Sequence, residues 1–536
     1  MPASAEPAPA ARPTRGSSGL LQVLSQSGIY AVAGLAQQGV SFLLLPLYTR
    51  LVPQAQYGQL ELLGSFSSIV FAVLMLGLAS AITKCYHRDC RDDAERGAVL
   101  PTALLLDVPL LAGGGAVLMA AAGPIAGWLF GAAGAASAVG SGGPAEGAAL
   151  VRLMAAGGVL SSCVVLWLAG LRAQERPAAF GVMSVAQLTT ALTLTVLLVV
   201  HWHMGVRGIL WGNLLSNLLV LLLGAALAAR RRAAGRAEHR SVRAARLRLA
   251  GPASPASSGR LFERRLAAPL LRFGTMLLPA LLASWVMDLS DRWVLRHYTG
   301  LAEVAVYAVG YKVGMVLQAA VVWPFQLAWP AISFRLSREE GHRQTYAEAV
   351  TWLAALMAAA IAALTLLARI GLPLVAGAAY REAWRIVPVV ALAYACNGLY
   401  YAFSPGIHLA GHTRWLPPLA LAAAALNLGL NFALIPAFGR AGAAWSTAAA
   451  FAFLALGTAL LSRRVYPVPY EGSRLARIGM ALALVLGAGR LLPTVATPLN
   501  LGAHVALALA GVPLLLLATG VLRRPRAGAA AEAAGS

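Results

Sequence analysis

The chain has 536 residues, 59% of them hydrophobic and only 12% charged, about half the charged fraction of a soluble protein. Apolar runs of about 20 residues, each long enough to cross a bilayer, recur from end to end, and the alternating ten-residue segments of a membrane β-barrel are not found. A net charge of +22 invites nucleic acid as a partner, but no aromatic platform accompanies the basic stretches, so nucleic acid is excluded and the charge reads as membrane topology.

The N-terminal segment 1–24 is rich in Pro and Ala and reads as a disordered cytoplasmic arm. It carries no signal-peptide pattern. Hydropathy then gives about fourteen transmembrane helices. The first six fall in 25–230, a basic cytoplasmic loop fills 231–269, six more fall in 270–465, two extra helices fill 466–522, and 523–536 is a cytoplasmic tail. With both termini inside, 31 of the 42 Arg and Lys residues lie on the inner side, nine lie outside, and Arg292 and Lys312 lie within spans. The outer loops are short, among them one at 122–147. The poorest fit is an outer segment at 369–385 with three arginines. The basic part of 231–269 reads as a topology determinant with no partner, with a helix lying on anionic lipid as the alternative.

Four cysteines, Cys85, Cys90, Cys163 and Cys396, suggest no disulfide framework. Cys85, His87 and Cys90 lack a fourth ligand, so reduced thiols are the simpler reading and no metal is expected.

Two internal echoes suggest duplication. Tyr48, Thr49, Leu51, Ala55 and Tyr57 recur 250 residues later as Tyr298, Thr299, Leu301, Ala305 and Tyr307. Gly205, Gly208 and Trp211 recur as Gly439, Gly442 and Trp445. Repeats of six helices keep the same orientation in the bilayer, and transporters of that kind bind substrate between the halves. The expected fold is therefore all-α: two pseudo-symmetric six-helix lobes plus two C-terminal helices.

Charges inside spans are costly and usually functional. Asp288 and Arg292 share a helix face, with Asp291 beside them. Lys312 has no acidic partner on its own helix and would find one, Glu61 or Asp107, only across helices. The first span carries Tyr30, Gln37 and Ser41 as a polar stripe that either lines a cavity or bonds to neighbouring helices. Asn213, Ser216 and Asn217, Asn427 with Asn431, and Asn397 with Tyr401 read as helix-to-helix bonds. No G-x-S-x-G, paired metal motif or nucleotide-binding loop is found, so no enzyme is expected.

Three stretches resemble one family. SFLLLPLYTRLVPQAQYGQLEL at 41–62, DRWVLRHYTGLAEVAVYAVGYKV at 291–313 and GRAGAAWSTA at 439–448 are similar to signatures of bacterial polysaccharide (O-antigen) flippases. That is a branch of the superfamily that includes multidrug exporters and lipid II flippases. The resemblance implies transport of undecaprenyl-pyrophosphate-linked oligosaccharide across the inner membrane for polysaccharide or lipopolysaccharide biosynthesis. The implied partners are this lipid-linked oligosaccharide and the membrane, with a polysaccharide polymerase and export machinery as further candidates. No cofactor is implied, and proton or sodium coupling is left open. Arg292, Lys312 and Arg50 are the candidate pyrophosphate ligands, with Tyr30 and Gln37 beside them. Asp288 and Asp291 are candidates for charge pairing or ion coupling. A cation-coupled multidrug exporter of the same fold and a membrane glycan polymerase or ligase are the alternatives.

Overall fold

The computed structural model describes residues 44–131, 143–247, 262–493, 498–518 and 520. Helix is the only regular structure among them. The elements are α1 (Leu45–Leu51), α2 (Gln54–Leu74), α3 (Leu78–Lys84), α4 (Asp93–Ala120), α5 (Ala122–Phe130), α6 (Gly143–Ala173), α7 (Pro177–Val196) and α8 (Gly205–Leu247). They continue as α9 (Arg264–Thr299), α10 (Leu301–Gly314), α11 (Trp323–Leu336), α12 (His342–Ala376), α13 (Val387–Leu409), α14 (Leu416–Val465), α15 (Gly472–Leu491) and α16 (Pro498–Ala518). A 3₁₀ segment, Ala378–Ile386, joins α12 to α13.

Ten helical segments among the described residues are long and apolar enough to cross a membrane. The chain is a multi-pass membrane protein. Several of the fourteen expected spans are not separate members of those ten. The first falls mostly outside the described residues. The eleventh and twelfth are arms of one continuous run, Thr413–Val465. The thirteenth, α15, carries Arg474, Arg477 and Arg490. The fourteenth falls on α16, which among the described residues counts as a shorter apolar helix, Leu499–Pro513.

The run in α14 reverses at Gly439, where φ is 54° and ψ −132°. Such a φ suits glycine. Pro436, three residues earlier, also lacks the N–H that would continue the helix. The two arms then pack closely: a Cβ at Gly442 would stand 2.4 Å from the Leu434 carbonyl oxygen. The earlier echo is built alike. Gly205 also has φ 54°. A Cβ at Gly208 would stand 3.1 Å from the Leu198 carbonyl oxygen. The repeated glycines therefore mark the same device twice, a sharp reversal followed by a tight helix crossing.

The other echo opens α2 and α10, and these two helices pack against each other. Tyr57 and Tyr307 are both fully buried there. Gly58 is where the backbones come closest: a Cβ would stand 2.1 Å from the Leu301 carbonyl oxygen. The largest core cluster runs through this crossing and joins Leu62 and Tyr57 to Leu301, Tyr307 and Tyr380. α6 gathers α4, α5 and α8 around it, while α14 gathers α9 and α13, and α15 and α16 lie against α12.

Three segments read as loops are partly helical. α8 continues to Leu247, well into the basic stretch 231–269. That stretch is dense in Ala and Arg, both strong helix formers. The stretch 122–147 begins with α5, because PIAGWLF is an apolar segment of about two turns that can bury one face. α12 runs to Ala376 and so takes Arg369 out of the expected loop; its guanidinium donates to the Gly489 and Arg490 carbonyls.

The two halves of the chain touch at both ends of the bundle. At the end that carries the basic stretch, Arg265 pairs with Glu95 at 2.7 Å and Glu263 N donates to Thr102 Oγ1 at 3.0 Å. Asp92 caps α4 there by accepting from Glu95 N at 2.7 Å. At the opposite end Gln54 Nε2 donates to the Ala379 carbonyl at 2.6 Å, and Tyr57 meets Tyr380 edge-on at 6.2 Å. The arginine bias predicts that the basic end is cytoplasmic. Single cysteines placed in 231–269 should therefore resist a membrane-impermeant maleimide in intact cells and react after permeabilisation. Labelling in intact cells would reverse the orientation.

Candidate functional site

Five ionisable side chains meet where α2, α9 and α10 cross: Glu61, Asp288, Asp291, Arg292 and Lys312. Helical spacing prepares the meeting. Tyr57 and Glu61 are four apart on α2, Asp288 and Arg292 four apart on α9, and Tyr307 and Tyr311 four apart on α10 with Lys312 next. Each pair projects from one face.

Glu61 is the hub. Its Oε1 accepts from Lys312 Nζ at 2.6 Å, and its Oε2 lies 4.0 Å from Arg292 Nε. Lys312 also donates to the Tyr57 hydroxyl at 2.8 Å. Arg292 is 4% exposed. Its Nη1 donates to the Asp288 main-chain carbonyl at 2.8 Å and lies 3.4 Å from Asp291 Oδ1. Its guanidinium carbon stands 4.7 Å from the Tyr311 ring centroid, within cation–π range. Its Nε is buried and makes no hydrogen bond with the described residues.

The two aspartates are held differently. Asp291 is fully buried and accepts from the Tyr307 hydroxyl and from Arg292 N. Asp288 does not pair with Arg292 through its carboxylate. That carboxylate accepts from Tyr311 at 3.3 Å, and the Tyr394 hydroxyl, 3.4 Å from the same carboxylate, lies closer to Tyr311, at 3.0 Å. With three carboxylates against two cations, the cluster is not a positive surface at rest. Both cations are already partnered, and Glu61 serves the two together.

Arg50 stands elsewhere. It ends α1, is exposed, and donates to the Leu374 carbonyl of α12. Tyr30 and Gln37 lie outside the described residues. Asp107, the other carboxylate considered for Lys312, is buried with neither oxygen bonded among the described residues. The four tyrosines were not read as site residues. The four-residue spacing of Tyr307 and Tyr311 on α10 carried part of the signal, but only the packing of α2, α10 and α13, which adds Tyr57 and Tyr394, turns it into a cage.

Most of the polar residues read as interhelical bonds join helices, whereas Asn213 accepts from Asn217 within α8. Ser216 lies 2.8 Å from Thr190 and Asn217 accepts from Gln187 at 3.0 Å, tying α8 to α7. Asn431 donates to Ser290 at 3.2 Å, and Ser290 donates to Asn427 at 3.3 Å, tying α14 to α9. Cys85 donates to Asp89 at 3.3 Å, and no group of three or more His, Cys, Asp and Glu side chains able to hold a metal occurs among the described residues.

The comparisons with known proteins agree with this architecture. A family model described as "Polysaccharide biosynthesis protein" matches residues 23–334, more than half of the chain. No curated protein matches the chain in sequence. Among solved structures, the lipid II flippase MurJ in its inward closed conformation is similar with a TM-score of 0.66 at 12% identity, covering 94% of this chain and 100% of that one. An inward-facing multidrug resistance MATE family transporter of the MOP superfamily has a TM-score of 0.57 at 13% identity, covering 84% and 99%. A eukaryotic MATE transporter has a TM-score of 0.54 at 14% identity, covering 87% and 100%. The fold is the one these transporters share.

Proposed function

The chain belongs to the polysaccharide biosynthesis protein family, and from that premise we propose that it flips undecaprenyl-pyrophosphate-linked oligosaccharide across the bacterial inner membrane. The observation that carries this reading is the pair Arg292 and Lys312, held on the C-terminal half and bridged by one carboxylate, Glu61, from the N-terminal half. An arginine at mid-bilayer costs roughly 3 kcal/mol on insertion scales. A protein keeps such a charge where a polar partner offsets the cost and where function uses it.

Glu61 acts as a stand-in for the substrate's phosphate. A pyrophosphate presents more charge and more acceptor oxygens than one carboxylate. Arg292 can bind it bidentately, and its free Nε adds a donor. When phosphate takes both cations, Glu61 is released, and the polar tie between α2 and the α9–α10 pair is cut. Substrate binding and separation of the halves are then one event. When no substrate is bound, the Asp291 carboxylate and the Asp288 main-chain carbonyl hold Arg292, and protonation of Asp291 would loosen it and couple transport to a proton gradient. Sodium coupling would act on the same carboxylates. The residues bind and release; no bond is made or broken in this scheme.

A second reading, a cation-coupled drug exporter, draws on the third carboxylate and the four tyrosines, which would suit a cationic guest. The two readings part in a deletion strain. A flippase deletion is expected to leave lipid-linked oligosaccharide on the inner leaflet and to stop polysaccharide assembly. Unchanged glycan assembly with lost drug efflux would select the exporter. Unpolymerised units on the outer leaflet would indicate a polymerase instead. Localisation at the inner membrane and contact with a polymerase belong to the same proposal.

A further inference from the structure

A cavity of about 370 Å³ lies between α5, α9 and the first arm of α14, and none of the cage tyrosines lines it. Seven of its ten lining residues are apolar, with Trp128, Trp293, Leu428 and Phe432 as its main walls. Trp128 and Trp293 meet edge-on at 5.6 Å. Trp128, Leu428 and Phe432 are exposed, so the cavity opens sideways, and in a membrane-spanning bundle that opening faces lipid. Along α9 it runs from Val286 to His297, about 16 Å of helix.

Its polar groups are few: Ser290 and Trp293 Nε1, the latter unpartnered among the described residues, midway along it, and Arg296 and His297 at one end. The Ser290 hydroxyl is already used by Asn427 and Asn431. Arg296 and His297 stand at the end of the groove farthest from the basic stretch. Arg296 forms no ion pair with any described residue. Its guanidinium reaches over Gly131, where a Cβ would stand 2.1 Å from Nη2. Arg296 follows Arg292 by one turn, about 6 Å along α9.

We propose that this groove holds the polyprenyl chain of the lipid-linked substrate, with Arg296 against its pyrophosphate, as a lateral station next to the buried cluster. This rests on the flippase reading. A sugar ring would leave its hydroxyls without partners here, and unpaired polar groups are costly to bury. A methyl-branched, unsaturated chain gains dispersion contact from the Trp and Phe walls. The cation without an acidic partner supplies the match to an anionic head. On leaving Arg292 the pyrophosphate meets Arg296 one turn further along the helix, while the chain stays in an apolar trough instead of crossing the polar cage.

The test uses the full-length protein in phosphatidylcholine vesicles with a diazirine-tagged polyprenyl pyrophosphate. Crosslinks are expected within 286–297 and 428–432. Leu428→Trp, which fills the groove from an exposed position, and Arg296→Gln, which removes the head contact, should each lower labelling about tenfold. Equal labelling of the same residues by a diazirine-tagged phosphatidylglycerol would overturn the proposal, as would full labelling in both variants. Arg292→Gln separates the two readings, since it should stop glycan export but leave groove labelling in place. Lost labelling with export still dependent on Arg292 sinks the groove alone. Groove labelling without any glycan defect in the deletion strain sinks the flippase reading instead.

Discussion

Arg292→Gln is expected to abolish glycan export while the protein still accumulates in the membrane. The substitution keeps much of the side chain's length and some hydrogen bonding but removes the charge. Asp291 then loses its cationic neighbour but keeps the Tyr307 hydroxyl and the Arg292 main-chain N–H as donors. Arg292→Lys should give a partial defect, because the charge remains while the fork that can bind phosphate bidentately is gone. Export is read as surface polysaccharide in a deletion strain complemented with each variant, and protein level by immunoblot of membranes. Full export by Arg292→Gln at normal protein level would remove Arg292 from substrate binding. Failure to accumulate would make it a structural charge.

A double-mutant cycle on Glu61 and Lys312 should separate fold from function. Glu61→Gln leaves Lys312 and the Arg292 Nε facing no carboxylate, and breaking one side of a buried pair costs about 3–5 kcal/mol. The thermal midpoint of the purified protein should fall clearly. Lys312→Gln should lower it for the mirrored reason. The double variant removes both charges and should recover most of the loss, since replacing both partners of a buried pair is often close to neutral. Arg292 keeps Asp291 throughout. Export, by contrast, should stay lost in the double variant, because the phosphate ligand is missing. If export returned together with stability, Lys312 would serve packing only.

These two tests depend on a partner that local pattern does not single out. Read alone, Lys312 is an unpaired cation with two acids within conceivable reach. Glu61 and Asp107 sit on similar apolar helices, and nothing in either helix ranks them. The crossing of α2 and α10 ranks them, bringing Glu61 to 2.6 Å and leaving Asp107 buried without a partner among the described residues. Arg50 shows the reverse case. It stands two residues after Tyr48 in the repeated motif, so the motif drew attention to it, but its bond goes to the Leu374 carbonyl at the bundle's end. Similarly, the apolar stretch at 124–130 is too short to span and carries no helix signal of its own, yet it forms α5, whose Trp128 walls the groove.

What the chain's sequence determined by itself is what short-range chemistry sets. Apolar length made the helices and committed the protein to a bilayer, because backbone polar groups must be satisfied internally there. Glycine placed the two reversals, since φ near 54° at Gly205 and Gly439 suits no other residue as well. Helical spacing put Asp288 with Arg292 and Tyr307 with Tyr311 on common faces. What only the tertiary structure decided is which faces meet. Partners roughly 250 positions apart, such as Glu61 and Lys312, share no local periodicity. Their pairing follows from helix crossings fixed by close backbone contact, as at Gly58 on Leu301, and a buried charge takes whichever opposite charge that crossing places within hydrogen-bonding distance.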